Sequence, residues 1–164
     1  MEVSSPSFSI DSELARGLMA KALTEARLAF SEGEVPAGAA VADSQGNFLA
    51  SGRNRVIALL DPSAHAEILA LRAAARIAKN YRLSGAILVS TIEPCPMCLM
   101  AAIHARVGYV FYGAMEPKWG AAHSHLNLHE NAWLNHHPLV EGGLRADECA
   151  MLIRDFFKAK RVKT

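Results

Sequence analysis

Apolar positions along this chain recur at two different periods. From Ser12 to about Ser31, Leu14, Leu18, Ala22, Ala26 and Phe30 return at the spacing of one helix face, and Ser12 suits an N-cap. "GEVPAG" ends that pattern. "GAAVADSQGNFLASGRN" then predicts two strands joined by a turn at Ser44–Asn47. "DPSAHAEILALRAAARIA" predicts a helix headed by Pro62 and Ser63, with Ile68, Leu69, Leu71 and Ile77 on its apolar side. "GAILVST" is a short apolar strand, and "PCPMCLMAAIHAR" opens a helix with Pro96 at its first position. "VGYVFYG" is another strand. From Glu116 to about Pro138 the chain is polar, His-rich and irregular, and "RADECAMLIRDFFKAKR" closes it as an amphipathic helix. Alternating strands and helices imply a layered α/β sheet with helices on both sides. Residues 1–10 form a polar, Ser-rich lead expected to fray. No repeat, low-complexity tract or domain linker interrupts the pattern, so 1–164 is expected to form a single domain.

Composition narrows the function classes. Apolar residues make up 51% of the 164, enough for a substantial core, and the formal net charge is only +1. Nothing global calls for nucleic acid, so any basic surface must be local. The C-terminal end supplies one candidate, with Arg154, Lys158, Lys160, Arg161 and Lys163 against the single acid Asp155. The start of the chain lacks the pattern of a signal peptide, and no apolar run approaches a membrane span. Three cysteines, two of them three residues apart, form no disulfide framework and suit a reducing compartment.

Those cysteines carry the candidate chemistry. Spacing of three puts Cys95 and Cys98 on one face at a helix start, where unpaired amides and the helix dipole favour thiolates. Two thiolates make half a zinc site. His65, at another predicted helix start, is the natural third ligand, because helices leaving one sheet edge bring their openings together. Three protein ligands with an open fourth position describe a catalytic zinc. Glu67, two positions on, points away from the ligand face. It would instead reach a water in the fourth position, first as general base and then as general acid. Taken singly, a His and a Glu on an oily helix are most often a packed residue and a solvated one. A thioredoxin-like redox pair is the competing reading of "CPMC", and the upstream His-x-Glu argues against it.

His65-Ala66-Glu67 with Pro94-Cys95-Pro96-Met97-Cys98 resembles the H-x-E, P-C-x-x-C signature of the zinc nucleobase deaminases. "EVPAGA", "GRNR", "DPSAHAEI", "NYRL", "EPCPMC", "FYGAMEPKWGAAHS" and "ADECAMLIRDFFKAKR" are similar to the bacterial tRNA-specific adenosine deaminases within the cytidine/deoxycytidylate deaminase superfamily. The resemblance covers roughly Leu18 to Arg161. It implies a three-layer α/β/α fold with a mixed central sheet of about five strands. It also implies one zinc ion per subunit and a cytoplasmic homodimer acting on a tRNA anticodon loop. Water would attack C6 of a flipped-out adenine, at the wobble position, while Glu67 shuttles protons and ammonia leaves behind inosine. By similarity Asn54 and the backbone near Ala66 and Pro94 hold the base, and Glu116 lies beside the sugar. Phe157 could wall the pocket or stack near it, and the basic tail could meet phosphates. A phenylalanine pair in an amphipathic helix is usually core, which is the expectation for at least part of Phe156.

The likeness loosens at His123, where the family usually has Gly, and at Glu116, where Asp is common. Five of the seven histidines fall within 123–137, but their spacings repeat no ligand pattern, and "HENAW" lacks the second His of a zinc-protease motif. His104 and Cys149 are expected to be packed on their helices. Two other functions stay open. Guanine deaminases share His-Ala-Glu and a near-identical "EPCPMC", so a free-base deaminase would have the same metal site. A non-catalytic zinc module that binds RNA is less favoured, because inactive relatives commonly lose the glutamate.

Overall fold

The computed structural model describes residues 8–163. Helix α1, Glu13–Ser31, starts where the pattern places it: Ser12 Oγ accepts from the Ala15 amide at 3.1 Å. The two strands that follow are β1, Gly38–Ala42, and β2, Phe48–Arg53, and Asp43 holds the turn between them through the Gln45 and Asn47 amides. Then come α2, Ala66–Ala78; β3, Ile87–Ile92; α3, Pro96–His104; β4, Tyr109–Ala114; β5, Leu139–Gly142; and α4, Ala146–Val162.

The strands form one sheet in the order β2-β1-β3-β4-β5. β1 runs antiparallel to β2 and β3, whereas β3, β4 and β5 are mutually parallel. Alternation along the strands splits the interior in two. Leu88, Val110 and Tyr112 pack with Ala70, Leu71 and Ala74 of α2 and with Leu99 and Ile103 of α3. Ile87, Val89 and Phe111 pack on the other face with Leu18, Met19 and Leu23 of α1 and Cys149 of α4. A mixed five-stranded sheet between two helical layers is the expected α/β architecture.

Three local expectations are corrected. α2 begins at Ala66 rather than at its Pro-Ser head, because Asp61 turns the chain first: its carboxylate accepts from the Ser63 amide and hydroxyl. β5 is a strand that the apolar pattern does not predict, since "LVEG" offers a single buried side chain, that of Val140. Of the lead expected to fray, residues 1–7 lie outside the described residues. Phe8 is packed edge-on against Tyr109, with ring centroids 5.4 Å apart, and Ile10 lies against the α1 layer. The irregular tract is less open than its polarity suggests, with Ala121, Ala122 and His129 all buried.

The sheet topology positions the site. β2, β3 and β4 all end at the edge where β1 begins. Four loops therefore meet there, together with the starts of α2 and α3. Close approach fixes α2: a Cβ at Gly52 of β2 would stand 2.7 Å from the Ala70 amide nitrogen, so only glycine admits the helix this near.

Candidate active site

His65 and Cys95 are the N-cap residues of α2 and α3. Neither side chain hydrogen-bonds to its own helix as a cap, and both reach sideways instead. His65 Nδ1 lies 3.6 Å from Cys95 Sγ and 3.5 Å from Cys98 Sγ. All three donor atoms fall within 4.8 Å of one another, the one such group among the described residues. A tetrahedral zinc with bonds of about 2.05 Å to nitrogen and about 2.3 Å to sulfur would separate those atoms by about 3.6 Å. One imidazole nitrogen and two sulfurs at that spacing fit zinc in both chemistry and size. The Cys98 thiol beside it holds Cys95 down to about 4, and the same contact, with burial, pushes Cys98 far up. The Cys95 sulfur accepts from the ring and raises His65 above its ordinary value.

Glu67 is 5% exposed in the first turn of α2. Its Oε1 lies 2.6 Å from Ser90 Oγ, which also lies 2.7 Å from the Ile92 carbonyl oxygen. That hydroxyl has one hydrogen for two acceptors. It donates to Glu67 when the carboxylate is ionised; when the carboxyl is protonated, it can accept from Glu67 and donate to Ile92. Strand alternation explains the encounter, since Ser90 faces α2 with Leu88 and Tyr112 while Val89 faces α1.

His65, Glu67 and Cys95 open onto a cavity of about 670 Å³, within the range of small-molecule sites. Asn54, Ala66 and Glu116 line it with His65, Glu67 and Cys95. The Asn54 amide nitrogen Nδ2 sits 3.5 Å from the Val35 carbonyl, at the long limit of a hydrogen bond, leaving the carboxamide available to a ligand. Cys98 is fully buried behind the wall, and two residues expected to bind substrate also lie outside it. The Pro94 carbonyl accepts from the Ala121 amide at 2.9 Å, tying the β3 end to the next loop. Phe157 lies on α4 with its ring against Phe156, which is itself buried on Phe30 of α1.

Sequence reasoning gave Glu93 no role. Buried at the cavity edge, it gathers the loop after β4. Oε2 accepts from the Glu116 amide, Oε1 from the Ala122, His123 and Ser124 amides, and the Ser124 hydroxyl also bonds to the carboxylate. Burial works to raise this carboxyl, but the Ser124 hydroxyl and the amides outweigh it and the net shift is downward. A Cβ at Gly120 would collide with that carboxylate. An acid two residues before the first Cys of the motif was the available signal.

The histidine tract is structural. His123 Nδ1 meets the Tyr112 hydroxyl at 2.5 Å, His129 stacks edge-on against His123, and His136 bonds the Val107 carbonyl. No second metal-holding group occurs among the described residues.

With this geometry in place, likenesses to known proteins become informative. Residues 12–114 match the cytidine and deoxycytidylate deaminase zinc-binding region. The chain is 38% identical over 152 residues to the tRNA-specific adenosine deaminase of Haemophilus influenzae, covering 93% of this chain and 88% of that protein. A solved structure from a study of A-to-I editing by tRNA:A34 deaminases at the wobble position of transfer RNA superposes with a TM-score of 0.80 at 40% identity, covering 83% of this chain and 98% of that one. A guanine deaminase from Nitrosomonas europaea superposes with a TM-score of 0.73 at 27% identity, covering 88% and 84%.

Proposed function

Because the chain belongs to the cytidine and deoxycytidylate deaminase zinc-binding family, we propose that this hydrolytic deaminase converts adenosine to inosine in tRNA, at the wobble position of the anticodon. The observation that carries the substrate is similarity to a tRNA-specific adenosine deaminase over 93% of the chain. Free guanine is the weaker reading, since the guanine deaminase likeness is more distant at 27% identity.

In this reading His65, Cys95 and Cys98 hold one zinc ion per subunit, which supplies a Lewis acid that brings the pKa of a water to about 7. Glu67 then moves the protons. It takes one from the attacking water, delivers it to N1 of the adenine, and carries the next to the exocyclic amine. The water oxygen bonds to C6, the C6–N6 bond breaks, and ammonia leaves inosine. Ser90 holds Glu67 in line in both of its protonation states. Asn54, the Ala66 backbone and the chain at Pro94 orient the flipped base, with Glu116 beside its sugar. The base must leave its stack to reach so enclosed a site.

A cytoplasmic homodimer completes the proposal. Ile57, Leu59 and Leu60 are exposed on the loop between the cavity residues Val56 and Pro62, and an apolar group this prominent suits a subunit contact. In this reading the lysines of α4 would meet phosphates of the RNA. The zinc-loaded protein should form inosine in tRNA, read by mass spectrometry of nucleoside digests. Zinc-loaded protein that leaves tRNA unchanged, or that turns over free guanine faster, would replace this reading.

A further inference from the structure

We infer that Trp119 is a stacking platform for an unpaired RNA base flanking the target adenosine, and so a substrate-positioning residue beyond the deamination centre. The inference rests on the RNA reading above.

Trp119 lines the same cavity as His65 and Glu67, yet 69% of it is exposed, which places the indole at the rim. Among the described residues no aromatic ring or cation is paired with it. An indole left open to water at the mouth of the cavity is an unused recognition surface.

Its support is rigid. The Gly120 amide donates to the Glu116 carbonyl at 2.8 Å, and the Lys118 amide donates to Glu116 Oε1 at 3.0 Å. The Glu116 amide is anchored on buried Glu93, and the Ala121 amide on the Pro94 carbonyl. Gly120 lies against the Glu93 carboxylate with no room for a side chain. The backbone on both sides of the indole is therefore fixed before any ligand arrives, so binding sacrifices little conformational freedom.

The neighbours select the ligand. Lys118 is exposed one residue away and can meet a phosphate. An aromatic face beside a cation on a fixed turn suits single-stranded nucleic acid, where each base offers a π-face. A base flipped into the cavity necessarily brings its unpaired neighbours to the rim. A free base seated at His65 and Glu67 has no flanking nucleotide to place on Trp119.

The test uses zinc-loaded enzyme and three anticodon stem–loop RNAs: one intact, one abasic directly 5′ of the target adenosine and one abasic directly 3′. Stacking is worth about 1–3 kcal/mol per base, so on intact RNA Trp119→Ala should lose roughly 5- to 150-fold in kcat/KM, carried by KM. Trp119→Phe should recover much of it and Trp119→Leu little. On one of the two abasic RNAs the wild type and Trp119→Ala should become equal. Zinc content and sedimentation are measured alongside. The inference is overturned if Trp119→Ala keeps the wild-type KM on intact RNA, if it loses the same factor on all three RNAs, or if it sediments differently from the wild type, which would assign the indole to a subunit contact. In each of those cases wild-type inosine formation leaves the RNA reading standing. Wild-type enzyme that makes no inosine in any RNA would defeat that reading as well.

Discussion

In the proposed mechanism Glu67 would move the proton and Ser90 would keep its carrier in place. Glu67→Gln preserves volume and burial but cannot cycle a proton, so deamination should fall by about 10²–10⁴-fold. Metal analysis should find zinc content unchanged, because Glu67 is not among the three clustered donors. Ser90→Val leaves one oxygen of Glu67 without its partner across the sheet. Loss of a hydrogen bond to a charged group, at about 1.5–3 kcal/mol, predicts a fall in kcat of roughly 10- to 150-fold, measured with zinc saturating. The three donors and Glu67 were legible because their spacing within two short segments carries the chemistry. Ser90 was not. It meets Glu67 across 23 residues, and only the register of β3 decides which face it takes.

At the scale of elements, Glu93 turns a loop into a fixed wall. Its carboxyl ionises at a lower pH in the folded protein than in the unfolded chain. Its contribution is therefore complete above the unfolded value of about 4.3 and is lost as the pH falls through the lower folded value. Protection of the amides of Glu116, His123 and Ser124 from hydrogen exchange, relative to their intrinsic rates, should fall on acidification below about pH 4. Glu93→Gln should remove much of that pH dependence. The packing of α2 on β2 gives a second expectation. Gly52→Val drives methyl groups into the Ala66–Ala70 backbone and should cost about 1–3 kcal/mol, read by thermal unfolding. Helices α1, α3 and α4 were readable from period and caps. The loop around Glu93 was hidden because five donors separated by up to 31 residues converge on one side chain.

Across the whole molecule, the mixed sheet makes one edge collect everything. β1 lies between β2 and β3 and runs against both, so its entry and their exits coincide. Strand–helix alternation revealed the layers, but not this order, because pairing partners are a property of the packed sheet. A cation bridging α2 to α3 at that edge would bind only the folded state and add stability by mass action. Chelator should lower the melting temperature, and added zinc should restore it. Cys98→Ser should melt lower than the wild type in zinc, with the gap narrowing in chelator.

His65 also sets two kinds of fitness against each other. Its place at the head of α2 would ordinarily go to an aspartate or a serine, which gains about 1 kcal/mol by bonding to the first turn. Breeding this protein for heat resistance in metal-free medium should therefore enrich such replacements at 65, yielding sturdier helices that have given up their grip on the metal.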